Sequence, residues 1–151
     1  MKKSYRTLEF SFIQDYIKNY CFSEMAKKRI DQIQPFQDID DLKLYQDDIS
    51  SAMKIIYAYG RIPLAPYEDI KEILQKAQKG GVCYPQDLLK IVQILKNVQE
   101  VQAYLDQEIE QSHLLEILSL LYLPKDLYNE ILKCVDPSGN IYDHASHELY
   151  R

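Results

Sequence analysis

His144, His147 and Glu148 come nearest to a catalytic arrangement in this 151-residue chain. Imidazoles three positions apart share one face of a helix, and with a neighbouring carboxylate they could hold a zinc ion. The order of the residues decides against it. Zinc-binding helices read His-Glu-x-x-His or His-x-x-Glu-His, and His144-Ala145-Ser146-His147-Glu148 has neither order, so these are polar residues at an exposed helix start. Gly80-Gly81 is not followed by the Lys-Ser or Lys-Thr of a phosphate-binding loop, and four glycines leave no Gly-x-Gly-x-x-Gly. Cys21, Cys83 and Cys134 are odd in number and far apart, with no Cys-x-x-Cys, so neither a disulfide framework nor a zinc site is indicated and a reducing compartment fits. His113 lies between Ser112 and a leucine run, where it reads as a helix-end residue. No nucleophile stands beside a base, so this chain is expected to be no enzyme on its own chemistry. No catalytic, cofactor-binding or metal-ligating residue is assigned.

Charge narrows the partners. A net charge of −5 and a pI near 5.2 leave no overall positive field for phosphates, which argues against binding nucleic acid by bulk electrostatics. The short basic groups Lys2, Lys3, Arg6 and Lys27, Lys28, Arg29 are interrupted by apolar positions and read as solvated faces. Asp38, Asp40, Asp41, Asp47 and Asp48 gather mostly toward a helix start, where the dipole favours negative charge. No apolar run follows Lys2 and Lys3, and no stretch reaches the ~18 apolar residues of a membrane span, so a cytoplasmic location without membrane contact is expected.

The elements that would position these residues are helical throughout. Leu8, Phe12, Ile13, Tyr16, Ile17 and Tyr20 recur at helical spacing over residues 7–20, with Thr7 as cap. Ser23 opens a second helix that runs to Gln34 before Pro35. From Asp38 to Tyr59, Leu42, Tyr45, Ile49, Ala52 and Ile56 mark a long helix, which at ~1.5 Å per residue spans about 33 Å. Gly60 closes it. A short helix starts at Pro66, carries Ile70, Ile73, Leu74 and Ala77, and stops at Gly80-Gly81. Pro85 opens the second long helix, where Leu88, Ile91, Leu95, Val98, Leu105 and Ile109 keep the alternation and Gln102 interrupts it near an open end of the helix pair. The two long stripes are expected to pack within the chain. Ser112 caps a helix with leucines nearly all round, which predicts burial, with Leu118 among the most buried residues. Pro124 starts another helix, and Asp136-Pro137-Ser138-Gly139-Asn140 is a turn before the extended Ile141-Tyr142-Asp143. The fold class is all-α: a multi-helix bundle with two long helices and several short ones, and an irregular or extended segment near 136–143. Residues 1–151 are expected to form one helical domain.

Two stretches of the chain also resemble a known family. Pro63-Leu64, Asp69-Ile70, Leu74, Ala77 and Gly80-Gly81 stand in the order seen in the second bacterial MutS subfamily, the MutS paralogues that carry a C-terminal Smr domain. Asp136, Gly139, Ile141, Asp143, Ala145, Ser146, Glu148 and Leu149 resemble the Asp-x-x-Gly-x-Ile/Val-x-Asp-x-Ala-Ser-x-Glu-Leu stretch of the same family. Thr7-Leu8-Glu9-Phe10 and Ser23-Glu24 are similar too, so the likeness runs along essentially the whole chain. Val82 departs from it where leucine is commoner, as do the numerous tyrosines.

The resemblance implies that this chain is the N-terminal core portion of a longer protein. Members are described as homodimeric ATPases that bind branched DNA, carry an Smr endonuclease module, suppress recombination and rescue collided ribosomes. ATP and magnesium would then belong to the full-length protein, and no cofactor to this fragment. The expected partners are the ATPase and clamp segments of its own chain, with DNA or the ribosome reached through the full-length homodimer. The expected role here is a rigid helical connector. The rival reading is a free-standing helical protein-protein interaction module that binds through its acidic surface and exposed tyrosines.

Overall fold

A computed structural model describes residues 9–107 and 109–146. Among them are seven α-helices: α1 (Phe10–Lys18), α2 (Glu24–Asp31), α3 (Ile39–Tyr59), α4 (Lys71–Gln78), α5 (Pro85–Leu105), α6 (His113–Ser119) and α7 (Lys125–Cys134). One 3-10 turn, Asp143–Ala145, follows, and the only extended pairing among these residues is an antiparallel bridge between Val135 and Ile141. The class is all-α, as the periodicity predicts. No helix described is long and apolar enough to cross a membrane.

Helix starts follow side-chain chemistry. Ser23 Oγ accepts from the Ala26 N–H at 3.1 Å, Asp38 from the Asp40 N–H at 2.7 Å and Ser112 from the Leu115 N–H at 3.2 Å, each satisfying an amide that the first turn leaves open. Pro85 occupies the first position of α5, and the Asp87 carboxylate reaches back to the Tyr84 N–H at 3.1 Å. Gly80, at φ +75°, ends α4 with its N–H on the Ala77 carbonyl, while the Gly81 N–H bonds the Lys76 carbonyl. These two bonds form a Schellman cap, which needs a left-handed residue at that position.

Several boundaries differ from the sequence reading, for tertiary reasons. α2 stops at Asp31 rather than Gln34: the Gln32 and Ile33 N–H groups close on the Arg29 and Ile30 carbonyls three residues back, and Gln14 Nε2 also donates to the Ile30 carbonyl at 2.7 Å. α4 begins at Lys71, not Pro66. Residues 60–70 are instead an extended strap held to α5 by three side chains: Tyr104 Oη donates to the Gly60 carbonyl at 2.8 Å, Asn97 Nδ2 to Pro63 and Gln93 Nε2 to Pro66 at 2.8 Å. Within the strap the Leu64 N–H also bonds the Ile62 carbonyl at 2.8 Å, a tight turn at Pro63. Loss of water around the Tyr104 hydroxyl raises its pKa. α5 ends at Leu105, so Ile109 lies beyond it. Helix α1 ends at Lys18, short of Tyr20, and its expected cap Thr7 lies outside the described residues.

Packing is pairwise. α1 packs on α2, α3 on α6, α5 on α7, and α7 on the 3-10 turn. The two long helices are therefore not each other's main neighbours, contrary to the expected pairing of their stripes, and the strap runs along α5 instead. Buried apolar side chains are Ile55, Ile73, Leu95, Val101, Leu123, Ile131 and Val135. Leu95 is inside as expected, whereas Leu42, Leu88 and Leu105 are half-buried and Ile49 and Ile56 are exposed. Leu118 is only half-buried, and α6 holds no buried residue at all. Among the described residues its main helical neighbour is α3, which covers one side of its apolar circumference.

The surface is large for the mass. At 17.8 kDa a compact monomer exposes about 8,000 Å², whereas this chain exposes 12285 Å². Exposed apolar side chains are spread over α1 (Ile13, Tyr16), α3 (Tyr45, Ile49, Met53), α6 (Ile117) and α7 (Leu127, Leu132).

Candidate functional site

The residues singled out for chemistry do not converge. His144 sits in the 3-10 turn with its ring stacked on Tyr142, centroids 4.9 Å apart, while His147 and Glu148 lie outside the described residues. Among the described residues no group of three His, Cys, Asp or Glu side chains could hold a metal ion. Cys21, Cys83 and Cys134 are free and half-buried. Lys27 pairs with Glu24 at 2.7 Å on the surface of α2, and the Lys2, Lys3, Arg6 group lies outside the described residues.

One juxtaposition escaped the sequence reading. The His113 Nδ1 lies 2.9 and 3.0 Å from the two Asp48 carboxylate oxygens, joining α6 to the middle of α3. Asp48 is thus no helix-start charge, and no local signal could link residues 65 apart. Beside the pair, Ser51, Lys54, Ile55, Ala58, Tyr59 and residues 109–112 line a cleft of about 310 Å³. The arrangement has two members of a nucleophile-activating triad without the third: among the described residues no serine hydroxyl bonds the imidazole, and Ser112 Oγ is committed to the cap. It is a clip between helices. Gln102 behaves likewise. Its Nε2 donates to the Leu121 carbonyl at 2.8 Å, so the polar break in the α5 stripe ties down the chain after α6 rather than marking an open end.

The C-terminal turn is the most completely hydrogen-bonded local feature. Asp136 accepts from the Ser138 N–H at 2.8 Å, the Asn140 N–H at 2.9 Å and Asn140 Nδ2 at 3.0 Å. These bonds, the Asn140 backbone foremost, hold its carboxyl below its ordinary pKa. Gly139, at φ +86°, is buried against α5, where a Cβ would stand 3.3 Å from Gln86 Nε2. The Gly139 and Asp136 of the family-like stretch therefore dock the segment after α7 onto α5. In the other stretch, Gly80-Gly81 cap α4 and Pro63 lies in the strap. Both stretches do structural work, and the candidate functional surface is the exposed apolar faces of the helices.

No protein-family model matches the chain. Curated relatives do. The chain is 31% identical to Endonuclease MutS2 of Clostridium botulinum (strain Alaska E43 / Type E3) over 152 residues, which cover 99% of this chain and 19% of that protein. It is 31% identical to Endonuclease MutS2 of Halothermothrix orenii over 157 residues, 98% of this chain and 20% of the relative. Against the protein of the same name from Clostridium beijerinckii the identity is 30% over 151 residues, 98% and 19% respectively. The chain thus spans about a fifth of the length of these relatives. Along almost its whole length it is similar to the N-terminal fifth of the MutS2 endonucleases.

Proposed function

We propose that this chain is the N-terminal helical core or connector of a longer MutS2-like, DNA-processing ATPase with an Smr-type endonuclease, and that it is non-catalytic itself. The observation that carries the reading is the combination of similarity along nearly the whole chain to about one fifth of such proteins with apolar side chains left exposed on six of the seven described helices. A rigid element that packs against the rest of its chain needs such faces, and a solitary soluble domain does not. The polar clips Asp48–His113, Gln102–Leu121 and the α5 strap would make it stiff. ATP with magnesium, branched DNA or the ribosome, recombination suppression, homodimerisation and a cytoplasmic setting belong to this proposal at the level of the full-length protein.

The test is to read the gene past the Arg151 codon and assay both products. The frame is expected to continue into a Gly-rich Lys-Ser/Thr loop, with ATPase and nuclease activity in the long product and neither in residues 1–151. A stop codon there, or ATP hydrolysis by the short chain, overturns the proposal. A stop codon favours the free-standing interaction module, whose binding face would include the exposed Tyr57 and Tyr122.

A further inference from the structure

Helices α1 and α2 stand outside the bonds that fasten the rest of the chain. Gln14 Nε2 donates to the Ile30 carbonyl at 2.7 Å, and Lys18 bridges Asp15 and Asp31, so the two helices hold each other as a hairpin. Every hydrogen bond and ion pair of residues 11–33 closes inside it. Neither helix holds a buried residue, and each has the other as its main helical neighbour. Ser23, in the turn between them, is buried, but its hydroxyl is committed to the α2 cap. From α3 onward the chain is built differently: it holds all the buried apolar side chains described, the Asp48–His113 and Gln102–Leu121 bonds and the three that fix the strap.

One specific contact reaches out from the hairpin. The Arg61 guanidinium of the strap stands over the Phe22 ring in the α1–α2 turn, 5.0 Å from its centroid. Around that contact the two sides do not close: Asn19, Tyr20, Glu24 and Lys27 face Pro66 and Tyr67 across a cleft of about 470 Å³. An exposed cation–π contact shifts an equilibrium by a factor of only about two to five. The covalent route from the hairpin to α3 is as open, since residues 32–38 lie outside any helix and are all exposed. Phe36 packs on Tyr45, centroids 5.3 Å apart, which fixes the end nearer α3 and leaves residues 33–35 as the pivot. We propose that the α1–α2 hairpin is a hinged arm, latched to the strap by Arg61 and Phe22, that swings about residues 33–35 between a docked and an open position. The strap sets the latch: Arg61 follows Gly60, whose carbonyl takes the Tyr104 hydroxyl of α5 at 2.8 Å, so a change at Tyr104 reaches the arm through two residues of strap. The inference is independent of the reading of this chain as part of a longer protein, and it confines the stiffness argued above to the helices from α3 onward.

The test measures distances between pairs of spin labels by pulsed electron paramagnetic resonance on the 151-residue protein, with Cys21, Cys83 and Cys134 changed to Ser. Exposed Ser11→Cys and Glu100→Cys report the arm against α5, and Glu100→Cys with exposed Asn129→Cys reports α5 against α7, which pack on each other. The first pair is expected to give two populations of distance and the second a single narrow one. Arg61→Gln should raise the ratio of open to docked arm about two- to fivefold. Phe22→Leu should do the same, the two together no more than either alone, and Arg61→Lys, which keeps the cation, less. Tyr104→Phe should shift the ratio in the same direction by loosening the strap. The α5–α7 pair stays narrow in every variant, which shows that the variants fold. A single narrow arm distance that no variant changes overturns the hinge, and two populations indifferent to Arg61 and Phe22 overturn the latch. Broadening of both pairs together means that the whole chain is loose, and it overturns the proposal as well. Each of these outcomes leaves the proposed function untouched, because neither ATPase nor nuclease activity enters the measurement.

Discussion

The Asp136 carboxylate accepts three hydrogen bonds within the turn it begins, and its pKa is lowered accordingly. A carboxyl whose folded pKa lies below its unfolded value contributes stability that is present above the unfolded value and lost as pH falls through the folded one. Asp136→Ala should therefore lower the melting temperature at pH 7 and make progressively less difference below about pH 4, where the unfolded carboxyl protonates. Thermal melts of both proteins across pH 2–7 check this; a gap that persists undiminished at pH 2 would show that the charge is irrelevant. Left-handed glycines make a second case. Gly80→Ala, at φ +75° with nothing within 4 Å of an added Cβ, should cost only the backbone strain, about 1 kcal/mol. Gly139→Ala, at φ +86° and 3.3 Å from Gln86 Nε2, should cost more. Urea midpoints that rank the two the other way would contradict the docking of the turn on α5.

At the scale of the element, the strap over residues 60–70 shows how an α5 face decides what its neighbour becomes. Gln93, Asn97 and Tyr104 lie along one helix and fasten the carbonyls of Pro66, Pro63 and Gly60 in reverse order, so the strap runs antiparallel to α5. Tyr104→Phe removes one such bond at an exposed site, and about 0.5–1.5 kcal/mol of stability should go with it. Tyr104→Phe combined with Asn97→Ala is expected to speed hydrogen exchange at Arg61 and Ile62 while leaving the α3 amides unchanged. Capping is the parallel case at helix starts: Ser23→Ala and Ser112→Ala should each cost about 1 kcal/mol. The cap residues Ser23, Asp38 and Ser112, Pro85 at the α5 start and the Gly80 stop were all legible in the sequence, because each acts through groups within four residues. The Gln14 bond across to the end of α2 and the strap before α4 were not, since Gln14 and Gln93 act from 16 and 27 residues away.

For the whole molecule, thin packing sets the ranking of core positions. Ile131, 5% exposed between α5 and the C-terminal turn, should lose about 2–5 kcal/mol on truncation to alanine. Leu118→Ala should lose less, because its helix has no buried residue. Equal urea midpoints for the two variants would show that α6 is covered in the isolated chain. Among the described residues the helices associate mainly in pairs, so a leucine-rich helix can have only one covered side.

Residue types and spacing alone establish the helical class, the approximate span of most helices among the described residues, the caps Ser23, Asp38 and Ser112, and the likeness to MutS2 endonucleases along nearly the whole chain. These depend on residue type and short-range spacing, which a helix expresses through bonds between neighbours four apart. Only the tertiary structure decided which side of each helix is covered. On α3 the apolar arc is broad enough to offer Ile55 or the Ile49 and Ile56 ridge as the inside, and periodicity does not choose between them. The choice falls to contacts from distant parts of the chain: the Asp48–His113 clip turns α3 toward α6, and the donors of α5 hold the strap. Burial is a property of what lies opposite a side chain, and along Tyr45, Ile49, Met53 and Ile56 the described residues leave about half of each side chain open, with the Phe36 ring packed on Tyr45.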